Sequence, residues 1–219
     1  SEIDLSLADY SFVGENSVDN AGQSVASAGD VDGDGLDDLL VGARFNDDGG
    51  LLAGKVYLIL GASLGTTSEI GLSDADYSFV GGYDDLAGNA VSSAGDVDGD
   101  GLDDLLVGAP YDDDGGSYAG KAYLVLGASL GTDAEIDLAD ADYAFIGEAE
   151  GDYAGVSVSS AGDVDDDGLD DLLVGASGND DGGTRAGKAY LILGASLGAD
   201  AEIDLAEADY AFIGEAEGD

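Results

Sequence analysis

The chemistry available to this chain lies in its aspartates. The stretch Asp30-Val31-Asp32-Gly33-Asp34-Gly35-Leu36-Asp37-Asp38 recurs as Asp96 to Asp104 and as Asp163 to Asp171. Carboxylates at the first, third, fifth and ninth positions can wrap a hard cation, and the carbonyl of the seventh adds an oxygen. The candidate ligands are therefore Asp30, Asp32, Asp34, Leu36 and Asp38 in the first loop. In the second they are Asp96, Asp98, Asp100, Leu102 and Asp104, and in the third Asp163, Asp165, Asp167, Leu169 and Asp171. Glycine at the sixth position permits the sharp bend. An all-oxygen set with this many ligands favours Ca²⁺ over Mg²⁺, so about three calcium ions are expected, one per loop. Plain Asp-Gly turn chemistry is the competing explanation, and three copies at one spacing weigh against it. Asp37, Asp103 and Asp170 point away from the ninth position in an extended chain. They are expected to face solvent or to support the ligands from behind. The twelfth position is Val41, Val107 or Val174, so the loop joins two strands and not two helices.

What is missing narrows the chemistry further. The 219 residues include no His, Cys, Met or Trp. Nucleophilic systems of the Ser–His and Cys–His kind are excluded. Disulfides are excluded too, which leaves bound metal as the remaining clamp for a secreted fold. With 49 acidic against 5 basic side chains the formal charge is −44. That surface repels nucleic acid and anionic membranes, and it repels itself unless ions screen it. The setting expected is extracellular or cell-surface, because free calcium inside a cell is too scarce for weak sites. No apolar run is long enough to span a membrane. No signal peptide is visible, so a secreted protein would be represented by a mature or truncated chain.

The elements that hold these loops repeat as well. The first loop aspartate falls at residues 30, 96 and 163, giving steps of 66 and 67. The pair Glu-Ile begins at Glu2, Glu69, Glu135 and Glu202. Each unit carries four short strand signals. In the first they are Tyr10 and Phe12 alternating with Ser11, the small-residue run Ser24 to Ala28, Leu39-Leu40-Val41, and Val56 to Leu60. The last two are continuous apolar runs bounded by Gly and Asp, which predicts strands buried on both faces. Asn46 to Gly50 and its copies from Asp112 and Asn179 read as hairpin turns. Residues 201–208 could form a turn of helix in a linker. Four short antiparallel strands per repeat describe a propeller blade; an open β-solenoid is the alternative. The fold expected is all-β, with three blades in a partial or oligomer-completed propeller. Residues 1–19 are read as the outer strand of a preceding blade, 20–81 as blade 1, 82–147 as blade 2, and 148–219 as blade 3 with a terminal linker.

These residues resemble the FG-GAP repeat, the blade of the integrin α-subunit propeller and of many bacterial extracellular proteins. The resemblance rests on Phe12-Val13-Gly14, the loop Asp30 to Asp38, Leu39 to Ala43, and Gly54-Lys55-Val56-Tyr57. It recurs at Phe79-Val80-Gly81 with Asp96 to Ala109, and at Phe145-Ile146-Gly147 with Asp163 to Ala176. It implies that the loop aspartates bind Ca²⁺. The sequence departs from the pattern in three ways, one being that integrin-like propellers have seven blades and this chain supplies three. Gly-Ala-Pro is complete only at residues 108–110, and Asp166 stands where the other loops have Gly33 and Gly99.

The function expected is a non-catalytic, calcium-binding extracellular module for adhesion or ligand binding. Its partners would be calcium, further repeats or copies of the same chain, and a protein or carbohydrate ligand. Tyr83, Tyr111, Tyr118 and Tyr153 are loop aromatics that could stack on sugars. The alternatives are a structural subunit of a filament or surface layer built by strand exchange through residues 1–18, and, least favoured, a carbohydrate-active enzyme with a carboxylate pair. Lys55, Lys121 and Lys188 are expected to be local partners of acidic side chains, and Asp47, Asp113 and Asp180 to lie in solvated turns.

Overall fold

A computed structural model describes residues 4, 6, 8–65 and 67–215. Among them there is no α-helix, only three-residue 3-10 turns and strands. Ahead of the first repeat lies β1 (Ser11–Val13). The first repeat holds β2 (Ser24–Gly29), β3 (Asp38–Ala43) and β4 (Lys55–Ile59), followed by β5 (Glu69–Gly71) and β6 (Tyr77–Val80). The second holds β7 (Ala90–Gly95), β8 (Asp104–Ala109), β9 (Lys121–Val125), β10 (Glu135–Asp137) and β11 (Tyr143–Ile146). The third holds β12 (Ala154–Gly162), β13 (Asp171–Ala176), β14 (Lys188–Ile192), β15 (Glu202–Asp204) and β16 (Tyr210–Ile213).

Four antiparallel strands form each blade, as the repeat predicts. The sheets run β2-β3-β4-β6, β7-β8-β9-β11 and β12-β13-β14-β16. The first two also gain a fifth strand that the sequence did not announce. β10, from the second repeat, runs parallel to β6, and β15 runs parallel to β11. The Glu-Ile pairs that mark the repeat period lie in these edge strands. The segment read as a helical turn, 201–208, is instead β15 followed by a 3-10 turn, Leu205–Glu207. The first strand is not unpaired either: β1 lies parallel to β5 as a separate two-stranded sheet.

Burial explains why strands without a polar alternation were needed. Leu40, Val56, Leu58 and Phe79 leave one face of the first sheet and pack against Leu105, Val107, Tyr123 and Val125 of the second. Leu106, Leu124 and Phe145 meet Leu172, Val174, Tyr190 and Ile192 in the same way at the next junction. Val41, Tyr57, Ile59 and Leu72 cover the other face of the first sheet, with Phe12 packed on them. Burying each such side chain stabilises the fold by about 1.5–3 kcal/mol. The middle sheet thus packs at both junctions, and one blade alone would leave both faces bare.

Candidate metal centre

Each aspartate loop links the first strand of a blade to the second, between β2 and β3, β7 and β8, or β12 and β13. Its backbone is folded by its own carboxylates. Asp30 Oδ1 accepts from the Asp34 N–H at 3.0 Å and Oδ2 from the Gly35 N–H at 3.0 Å. Asp32 Oδ1 accepts from the Asp34 N–H at 3.1 Å, and Asp34 Oδ1 accepts from the Leu36 N–H at 2.8 Å. Gly35 closes the turn at φ 88°, a backbone that costs a side chain strain. The second and third loops repeat these bonds through Asp96, Asp98 and Asp100, and through Asp163, Asp165 and Asp167.

Asp38 anchors the loop from the strand side. It is buried, and its two oxygens accept from Val31 N–H at 3.0 Å and Gly61 N–H at 2.7 Å. Asp104 and Asp171 do the same with Val97 and Gly127, and with Val164 and Gly194. Burial pushes the Asp104 carboxyl up to about 7, and the charges of Asp98 and Asp100 add to that rise. Asp38 is raised by burial as well, with Asp32 and Asp34 contributing. A carboxylate held in this position is disfavoured until a positive charge arrives.

Of the predicted ligands, three per loop converge. Asp30, Asp32 and Asp38 each offer an oxygen within 4.8 Å of the others, as do Asp96, Asp98 and Asp104, and Asp163, Asp165 and Asp171. Asp34, Asp100 and Asp167 lie outside these groups, each with one oxygen bonded to the amide of Leu36, Leu102 or Leu169. Three hard oxygens at this spacing fit a divalent cation that prefers oxygen ligands.

The eighth position of the loop has a role that the sequence reading missed. Asp103 reaches across the junction, and its Oδ2 accepts from the Asp30 N–H at 2.8 Å. Its own N–H donates to the Asp30 carbonyl at 3.1 Å. Asp170 clasps Asp96 with both bonds at 3.0 Å. Asp103 and Asp170 are therefore inter-blade latches on the first ligand of the preceding loop, while Asp37 is exposed. Aligning the three loops could not reveal this, because the partner lies a whole repeat away. The leucines at the seventh position add to the junction. A Cβ at Gly33 would touch Leu102 at 3.0 Å and one at Gly99 would touch Leu169 at 3.0 Å. Asp166, the residue that departs from the pattern, sits at φ 64°.

The opposite end of the blades is less uniform. Lys55, Lys121 and Lys188 are the expected ionic partners, held against Asp48, Asp114 and Asp181. Glu15 and Glu148 add a second carboxylate to Lys55 at 3.7 Å and to Lys188 at 2.7 Å. Gly82 replaces this glutamate in the second repeat, and Asp112 contacts Lys121 at 3.2 Å instead. A cavity of about 520 Å³ opens there beside Gly82, Tyr83 and Asp85. Burial first, then the Asp112 charge, pushes the Asp85 carboxyl up to about 6. Tyr111, Tyr118 and Tyr153 pack together, with ring centroids 5.0–6.2 Å apart. Asp47, Asp113 and Asp180 hold turn amides of Leu52, Tyr118 and Arg185.

Stacked four-stranded blades, each with an acidic loop between its first and second strands, define a tandem-blade protein of the propeller class. The FG-GAP repeat description matches residues 21–59, 87–125 and 154–192, and the chain belongs to the FG-GAP repeat family. It is 31% identical over 197 residues to integrin alpha-5 of Xenopus laevis, covering 86% of this chain and 18% of that one. It is 34% identical over 179 residues to integrin alpha-PS2 of Drosophila melanogaster, covering 78% and 12%. It is 35% identical over 175 residues to human integrin alpha-IIb, covering 75% and 15%. The chain thus spans less than a fifth of the length of these relatives. No helix among the described residues is long and apolar enough to cross a membrane.

Proposed function

We propose that this chain is a non-catalytic, extracellular adhesion or ligand-binding module whose blades are each clamped by one Ca²⁺. The observation that carries the reading is the threefold carboxylate cluster, with a buried aspartate closing each copy. Asp30, Asp32 and Asp38, and their counterparts in the other loops, would hold the ion. It would neutralise carboxylates that otherwise repel and so tie the first strand of each blade to the second. Asp34, Asp100 and Asp167, with the carbonyls of Leu36, Leu102 and Leu169, would complete the ligand set that the loop spacing predicts. The integrin alpha relatives support an adhesive role, and the loops at the opposite ends of the blades are where a ligand would bind. The tyrosine triad is the largest aromatic group there.

Calcium binding is tested by calorimetry on chelator-treated protein with a parallel thermal melt. Three sites are expected. At a calcium concentration about 100 times the dissociation constant, each site adds about 2.7 kcal/mol of stability. The melt should then rise by about 20 °C between chelator and calcium, at about 2–4 °C per kcal/mol for a domain of this size. Coincident melts with and without chelator would overturn the reading.

A further inference from the structure

The contacts between neighbouring aspartate loops fall on candidate ligands or on the residues beside them. At the first junction Asp103 holds the main chain of Asp30 by two bonds. Its Oδ2 accepts from the Asp30 N–H at 2.8 Å, and its own N–H donates to the Asp30 carbonyl at 3.1 Å. Asp30 is the first candidate ligand of its loop. Asp103 stands between Leu102 and Asp104, the last two candidates of the next loop. The Leu102 side chain also covers the first loop, where a Cβ on Gly33 would meet it at 3.0 Å.

A second path joins the two buried aspartates from below. The Val31 N–H donates to Asp38 at 3.0 Å, and the Gly127 N–H donates to Asp104 at 2.9 Å. Gly127 lies directly against Val31. A Cβ on Gly127 would stand 2.9 Å from the Val31 carbonyl oxygen and 2.7 Å from that of Asp103, so no larger residue fits there. Val31 is itself fully buried in the junction core with Leu105 and Val125. The second junction repeats each part. Asp170 clasps Asp96, and Leu169 covers Gly99. Gly194 holds Asp171 at 3.0 Å while packed against the Val97 and Asp170 carbonyls.

We propose, on the calcium reading above, that the three loops fill cooperatively, with Asp103 and Asp170 as the residues that couple them. Closing the second loop on a cation fixes the Leu102 carbonyl and the Asp104 carboxylate, and Asp103 between them loses its freedom. Its clasp then holds Asp30 in place before the first loop takes its own ion. Part of the ordering that the first loop requires is complete, which couples the sites through conformational entropy without a change of shape. By linkage the effect is reciprocal. The middle loop touches both of the others, so its occupancy tightens both. Charge acts in the opposite sense, since one bound cation repels the next, and salt screens that opposition.

The test is a calcium titration of the chelator-treated full chain in about 1 M NaCl, where the screening length is about 3 Å. NMR follows the amides of Gly35, Gly101 and Gly168, each bonded to the first aspartate of its own loop. In wild type all three should respond with a Hill coefficient above one. Asp98→Ala removes an exposed candidate ligand from the middle loop, and circular dichroism checks that the variant folds. Gly101 should then stop responding, and Gly35 and Gly168 should need about five- to tenfold more calcium. In Asp103→Ala the Gly35 midpoint should no longer depend on whether Asp98 is intact, while Gly168 stays coupled. Asp103→Asn removes the same charge but keeps an acceptor for the Asp30 N–H, so it should preserve the coupling. Unchanged Gly35 and Gly168 midpoints in Asp98→Ala would overturn the coupling and leave calcium binding standing. Equal loss in Asp103→Asn and Asp103→Ala would overturn the clasp as its cause. No calcium response at any of the three glycines would overturn the calcium reading, and this proposal with it.

Discussion

At one end of every blade the aspartate loop recurs almost unchanged, down to the same amide bonds on Asp30, Asp96 and Asp163. At the other end the β3–β4 hairpin carries Phe45 and Leu52, its second copy Tyr111 and Tyr118, and its third Gly178 and Arg185. Both ends hang from the same strands, so the difference does not come from the scaffold. The loop end performs one task in each repeat: it closes a turn around clustered negative charge and latches to the next blade. A change at Asp103 or Asp170 there disturbs two blades. The hairpin end needs only to reverse the chain, which Asp47, Asp113 and Asp180 achieve with one bond each. Its remaining positions are free to vary, and there the asymmetry of the molecule accumulates.

Substitutions can break that contrast at three strengths. Asp104→Ala should cost the most, about 3–5 kcal/mol in calcium, because it strands the Val97 and Gly127 amides and removes a ligand. Denaturant unfolding measures it, and calorimetry should show one site fewer. Asp113→Ala at the hairpin end, by comparison, should cost under about 1 kcal/mol. Asp103→Ala comes next. It leaves the second loop's own ligands in place but frees the Asp30 amide, at about 1–2 kcal/mol. Its distinguishing mark is a weaker first calcium site, one repeat away from the change.

The smallest effect probes the hairpin end through pH. In the first and third repeats Asn46 and Asn179 donate to Asp19 and Asp152 at 3.0 and 2.9 Å. The second repeat places Asp112 there, facing Asp85. With its folded pKa raised from 3.8 to about 6, Asp85 contributes stability below about pH 4 that is lost as pH rises through 6. Asp112→Asn should supply the missing donor, lower the Asp85 titration midpoint seen by NMR, and flatten stability between those values by about 1 kcal/mol. An unchanged midpoint would mean that burial alone sets it.

The loops and inner strands were legible because their signals are local. Spacing alone nominated Asp30, Asp32 and Asp38, and the unbroken run Val56 to Leu60 announced a strand buried on both sides. Asp34 carries a bond from the Leu36 amide on one of its oxygens, a constraint that no periodicity reveals. The fifth strands escaped notice because three residues such as Glu135–Asp137 carry too little pattern to stand out from a linker. The Asp103 latch escaped because its partner is Asp30, in a different blade. The exchange of Glu15 and Glu148 for Gly82, matched by Asp112 in place of Asn46 and Asn179, was visible by aligning the repeats and needed the geometry only to be understood.

The borrowed edge strand has a consequence for how the molecule comes apart. Since β10 belongs to the second repeat but finishes the first sheet, melting one repeat strips its predecessor of an edge as well as a neighbouring face. Unfolding should therefore spread along the chain as one linked event, as when a stitch pulls the next, without discrete single-repeat steps. A deletion that removes β10 would unsettle the first blade as well as the second.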